Sequence, residues 1–349
     1  MRNYLDSFSL MAQRTREFLP RYLWLAPIVS TYPLLVFCIW IYGYALGHTT
    51  GWSEHLHVLP TADTGVTSLG ALLWGASVIL FLSVAAASMV VLVSTVYGQL
   101  KEQFETRPQP ATIVALLASF AVFFMLVFHP RSPLSGKPYY VTMQFAHGVL
   151  PGGTKHILTS LWVLTLVASL LVVGGAAATL AGLHASGRIL LSLDRRDEMD
   201  DEAARQRLVV PLAARSRRLQ TVLFAGAAVL VAGVVEIDAL FHWAVGRANL
   251  TAYPTGTGTF IISAATVSTG TLFSLYLAFV YLPAALILRQ QGMMLAERLR
   301  PNALPAAQAE WLEENGVGLS VATHVSTVVA LMGPFLAGGP LNAIGHMFG

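Results

Sequence analysis

TSLGALLWGASVILFLSVAAASMVVLVSTVY, residues 67–97, holds no Asp, Glu, Lys, Arg or His in 31 positions. A helix needs about 20 residues to cross a hydrocarbon core about 30 Å thick, so this stretch reads as a membrane span with length to spare. Working outward, runs free of Asp, Glu, Lys and Arg recur at 22–47, 109–128, 157–187, 219–235 and 258–288. The whole chain agrees with them: 55% of its 349 residues are hydrophobic, 11% are charged, and mean hydropathy is +0.63. The expected fold is an all-α polytopic membrane protein with six transmembrane helices.

Charge then sets the orientation. With six spans, Arg131, Lys137, Lys155 and Arg247 fall on one side and the other 17 of the 21 Lys and Arg on the opposite side. The positive-inside rule makes that second side cytoplasmic, together with both termini, in a plasma (inner) membrane. A pI near 9.1 thus reflects topology and the attraction of anionic lipid head groups; it gives no reason to invoke nucleic acid. The lipid bilayer is the first partner implied. The first apolar run is too long for a signal-peptide core and lacks a small-residue cleavage site, so it reads as a retained helix. Cys38, the single cysteine, lies within it, which excludes an intramolecular disulfide and a cysteine metal site.

The spans alternate in length. Those at 22–47, 109–128 and 219–235 match one bilayer, whereas the second, fourth and sixth continue into polar sequence at 67–105, 156–192 and 258–300. Residues 67–105 as one helix would extend roughly 58 Å. The expectation is three helical hairpins, at 22–105, 109–192 and 215–300, whose returning helices reach into the cytoplasm. The chain divides into an N-terminal cytoplasmic segment, 1–21; four spans, 22–192; a charged linker, 193–218; two spans, 219–300; and a C-terminal region, 301–349. YGYALG at 42–47 and FHWAVG at 241–246 hint at a repeat, although aromatic girdles at membrane interfaces resemble one another by composition. Pro211 is expected to break the linker. PAAQAEWLEEN, 305–315, reads as a short helix capped by Gly316, with Trp311 and Leu312 docked on the overhangs. The run at 319–341 is either an amphipathic helix packed under the bundle or a seventh membrane segment. Val321, Val325, Val328, Val329 and Met332 on one face favour the first reading.

Small residues crowd VAAASMVV, 84–91, and GGAAATLAGLHASG, 174–187, as close helix packing requires. The sixth span has a more distinctive stripe. Thr259, Ser263, Thr266, Gly270 and Ser274 recur three or four residues apart, and such a face can line a hydrated path without intramembrane charge. Alternatively, its hydroxyls bond to carbonyls one turn back or to a neighbouring helix. Pro283 on the same span predicts a kink, a candidate gate.

The fifth span ends in GVVEIDALFHW, 233–243. Counted from Arg218, Glu236 lies about 27 Å along the helix, near the outer head groups. Asp238 and His242 are spaced to meet at i, i+4, while Glu236 must find another partner, such as Lys137, Lys155 or Arg247. These outer-rim groups are read either as an Asp–His pair with a loop anchor, or as a carboxylate ring at an oligomer's mouth, which would select cations. In HTTGWSEHLHVLPTAD, 48–63, His55 and His57 with nearby acids can hold a metal, against the alternative of interfacial histidines bonding a loop. No phosphate-cradling loop, nucleophile elbow or haem attachment sequence is present, and no cofactor is expected. The leading expectation is a homo-oligomeric channel or pore-forming effector gated through its cytoplasmic helix extensions. The alternatives are a non-conducting scaffold that binds a cytoplasmic protein, and a membrane enzyme or metal-handling protein using outer His and carboxylates.

Overall fold

The computed structural model describes residues 65–106, 145–146, 148–151, 153–192, 209–248, 250, 255–300, 303–317 and 321–338. Among them are six helices and no strand: α1, Gly65–Thr106; α2, Thr154–Ser192; α3, Val210–Arg247; α4, Thr257–Leu299; α5, Pro305–Glu314; and α6, Val321–Gly338. Four of these, α1 to α4, are long and apolar enough to cross a membrane, which supports an integral membrane protein. The spans expected at 22–47 and 109–128 lie outside the described residues.

Hydropathy alone does not tell α1 from α3, but burial does. Of the membrane-length windows, 67% is buried in α3 and 28% in α1. On α1, Trp74, Ser77, Phe81, Ala85, Ser88 and Leu92 turn inward at spacings of three and four, one narrow helical stripe. Leu72, Ile79 and Val90, off that stripe, are exposed, as apolar side chains facing lipid would be. α3 is the central mast. Phe81 of α1 and Phe273 of α4 both reach Gly233, and Val172 of α2 and Leu277 of α4 both reach Gly226. These pairings, with Gly70 of α1 under Trp243, Gly175 of α2 against Val222 and Gly258 of α4 against Val245, set α1, α2 and α4 antiparallel to α3. The second, fourth and sixth expected spans therefore run in one common direction.

Two expectations need correction. The fifth span, read as 219–235, is part of a 38-residue helix. Charges at 215, 217 and 218 and at 236 and 238 interrupt the apolar pattern, but they do not interrupt backbone hydrogen bonding. Pro211 sits in its first turn, where the missing N–H has no intrahelical acceptor to lose. The second correction concerns α6. It lies beside the middle of α4 and α3, with Gly333 against Val231 and Gly338 against Thr266, not beneath the bundle. Its faces are also reversed from the amphipathic reading: Val328, Val329 and Met332 are exposed, while Thr327, Ala330, Leu331 and Ala337 are buried.

At the arginine-rich end of the bundle, α5 is fastened to the end of α4. The Gln308 side-chain amide donates to the Arg300 carbonyl at 3.1 Å, and the Arg300 guanidinium lies 5.7 Å from the centre of the Trp311 ring. Gly316, at φ +70°, ends α5 in the left-handed conformation that lets Val317 N–H reach the Leu312 carbonyl at 2.9 Å.

Candidate functional site

Glu236 lies on the face of α3 that also carries Gly233, Leu240 and Trp243, at spacings of three and four, and all four are buried. Opposite stands the N-terminal part of α1. Gly70 opens the room that the Trp243 indole fills: a Cβ there would come within 3.1 Å of the ring and 3.2 Å of the Trp243 Cα. Trp243 in turn stacks on Trp74, with ring centroids 5.2 Å apart and planes at 27°. This places the Trp74 Nε1–H so that it donates to Glu236 Oε1 at 2.7 Å. Only 5% of Glu236 is exposed.

Beside the carboxyl is a cavity of about 20 Å³ where four helices converge: Phe81 of α1, Leu161 and Thr165 of α2, Gly233 and Glu236 of α3, and Phe273 of α4. That volume suits about one water molecule. Thr165 commits its hydroxyl hydrogen to the Leu161 carbonyl at 3.0 Å. No Lys, Arg or His lines the cavity among the described residues. A buried carboxyl with one neutral donor, and space for one small guest, is a place where a proton or small cation can be taken up and released.

The other groups of the same stretch behave differently. Asp238 and His242 come within 3.7 Å, as i, i+4 spacing allows, with both side chains partly accessible. Asp238 Oδ1 and Trp243 Nε1 are buried without a hydrogen-bond partner among the described residues, leaving one acceptor and one donor open on the last turns of α3. Arg247 Nε donates to the Val149 carbonyl at 3.3 Å. Among the described residues Glu236 thus pairs with an indole, and Lys137 lies outside them. The two acids separate as helical geometry demands: Glu236 turns into the bundle and Asp238 toward its edge.

On α4, Thr259 is exposed, Ser263 is half-buried, and Thr266, Gly270 and Ser274 are buried. Those last three form the seat of α6. A Cβ on Gly270 would come 2.3 Å from the Pro334 carbonyl oxygen, and one on Gly338 would come 2.3 Å from that of Thr266. The two backbones therefore approach by mutual use of glycine. Pro334 lacks an N–H and its ring crowds the carbonyl one turn back, which loosens the α6 ladder there. The next amide, Phe335 N–H, donates across the seam to Ser274 Oγ at 2.9 Å. Thr266 Oγ1 donates back to the Ile262 carbonyl at 3.0 Å. α4 runs as a continuous helix through Pro283.

His55 and His57 lie outside the described residues. Among the described residues no group of three or more His, Cys, Asp and Glu could hold a metal ion. Two functional neighbours escaped the sequence reading. Trp74 is 162 residues from Glu236, and its only signal was an indole donor in an apolar helix, which needs an acceptor when buried. The seat for α6 was hidden in the polar stripe, whose period alone does not name what covers it. No family model matches the chain, and neither a curated protein nor a solved structure matches it.

Proposed function

We propose that the protein passes a small cation, the proton included, across the membrane as a homo-oligomeric channel, with Glu236 as the carboxyl that takes up the ion. The observation that carries this reading is Glu236 itself, held by Trp74 at a four-helix junction beside a one-water cavity. An ionisable group inside an apolar bundle is costly to keep and marks an ion pathway more often than a structural contact. In this reading the chain crosses an inner membrane six times as three hairpins, with both termini cytoplasmic. The helix ends beside α5 are the cytoplasmic extensions through which opening is controlled. The α4 polar stripe borders the path, and α6 covers it in the closed state.

The test is ion flux through purified protein in liposomes. Glu236→Gln keeps an oxygen to accept the Trp74 N–H but removes the charge, so cation flux and its dependence on pH are expected to collapse while the thermal midpoint stays near that of the wild type. Trp74→Phe keeps an aromatic ring on Trp243 and removes only the donor, and it should alter the pH profile more than the oligomeric state. Wild-type flux that both variants leave unchanged would remove Glu236 from the pathway. Absence of wild-type flux at every pH and voltage would favour the scaffold reading.

A further inference from the structure

A second, much roomier cavity, of about 650 Å³, lies far from Glu236 at the arginine-rich end of the bundle, between α3, α4 and α5. That size is typical of a small-molecule site. Its wall is apolar, built from Leu219, Ala285, Leu288, Met293, Leu312 and Val317. The wall is also preformed. Gly292 of α4 sits where a Cβ would come 3.1 Å from Val317 and 3.4 Å from Leu312, while the Gln308 and Trp311 contacts to Arg300 fix α5 from its other side.

The rim carries both signs of charge. Arg289 is contributed by α4, and Glu310 and Glu313, one turn apart on the same face of α5, come from across the cavity. None of the three has an ion pair among the described residues, although all three are exposed and line one opening. The outer surface nearby is apolar: Leu282 and Leu286 of α4 are exposed, as is Leu304 just before α5. An apolar interior, a mouth bearing separated opposite charges, and a lipid-compatible flank at the end of the spanning helices describe the complement of a zwitterionic amphiphile.

We infer that this cavity binds a phosphoethanolamine-headed lipid, with hydrocarbon against Leu288 and Leu312, phosphate at Arg289, and ammonium at Glu310 and Glu313. The head group decides among lipids. A phosphatidylglycerol satisfies the arginine but sets no cation against the two carboxylates. A phosphatidylcholine supplies a cation without N–H donors, whereas the primary ammonium offers three. The inference rests on the membrane fold and is independent of ion conduction.

The experiment is native mass spectrometry of the detergent-purified full-length protein, incubated in turn with phosphatidylethanolamine, phosphatidylcholine and phosphatidylglycerol of identical acyl chains. Retention of the ethanolamine lipid over each of the others is expected at about five-fold, a little less than one screened charge-assisted hydrogen bond would give. The double variant Glu310→Gln, Glu313→Gln should abolish the preference over phosphatidylcholine, and Arg289→Gln should weaken retention of all three lipids, whose shared phosphate it holds. Because these side chains are exposed, the substitutions leave the core intact. Ala309→Trp, which places a ring in the cavity, should remove retention of all three lipids. Equal retention of the three lipids by the wild type, or a preference that survives the double carboxamide variant, would overturn the site.

Discussion

Two contacts inside the bundle use opposite means to bring helices together. Between α4 and α6 the seam closes on glycine, with Gly270 under the Pro334 carbonyl and Gly338 under that of Thr266, and the Phe335 N–H donates across it to Ser274 Oγ. Between α1 and α3 the joint closes on two indoles and a carboxyl, and a small void remains beside them. A seam made of backbone admits no added atom, so it fixes distance. A joint made of large side chains fixes orientation and leaves room for a guest. The first suits a closure and the second suits a binding site.

The seam should be the more fragile under substitution. Gly270→Val drives a side chain into the Pro334 and Phe335 backbone, where no rotamer change relieves the overlap. A loss of about 3 kcal/mol or more is expected, read as a lower thermal midpoint in detergent together with faster proteolysis within α6. A normal midpoint would mean that α6 is seated elsewhere.

The joint should respond in steps. Glu236→Leu strands the Trp74 indole in an apolar setting and should cost about 1–2 kcal/mol. Glu236→Gln, which still accepts the hydrogen bond, should cost less than about 1 kcal/mol. Equal losses from the two variants, by thermal unfolding, would show that shape and not the hydrogen bond holds α1 on α3.

Glycine itself supplies a calibration between these extremes. A Cβ at Gly226 would come 2.6 Å from a Val172 methyl, the end of a side chain that can shift, so Gly226→Ala should destabilise by about 1 kcal/mol. At Gly75 a Cβ would meet nothing within 4 Å, and alanine there should gain about 0.5 kcal/mol from helix propensity. Matching shifts in the two melting curves would break the argument that glycine acts here through contact.

The smallest effect is expected at the edge. Asp238→Asn removes a partly accessible pair with His242 at 3.7 Å, and stability should change by no more than about 0.5 kcal/mol. A loss as large as that of Glu236→Leu would place Asp238 inside the joint.

Much of the architecture was legible because length and hydropathy are properties of consecutive residues. The overlong helices at 67–105, 156–192 and 258–300 were marked by long uncharged runs that pass into polar sequence, with Pro283 the one proline inside them. The short helix at 305–315 was marked by Pro305 at one end and Gly316 at the other. The charged residues of 210–218 concealed the true start of α3, because a helix end in a polar environment carries charge at little cost. For α6, period and polarity suggested an apolar face turned inward, whereas the structure turns its valines outward and its small residues toward α4. Next to lipid, burial is decided by how closely backbones can approach, so residue size outranks hydropathy there.

By itself, the sequence determined that the chain carries helices long and apolar enough to cross a membrane, and that Glu236 and Asp238 point apart, since both follow from helical geometry and transfer of side chains from water. Only the tertiary structure decided that α3 is the central helix, that Trp74 is the partner of Glu236, and that α6 covers the polar stripe of α4. Those contacts join residues far apart in the chain. Their selection depends on the fit of a ring over Gly70 or a carbonyl over Gly270, a quantity that no local pattern contains.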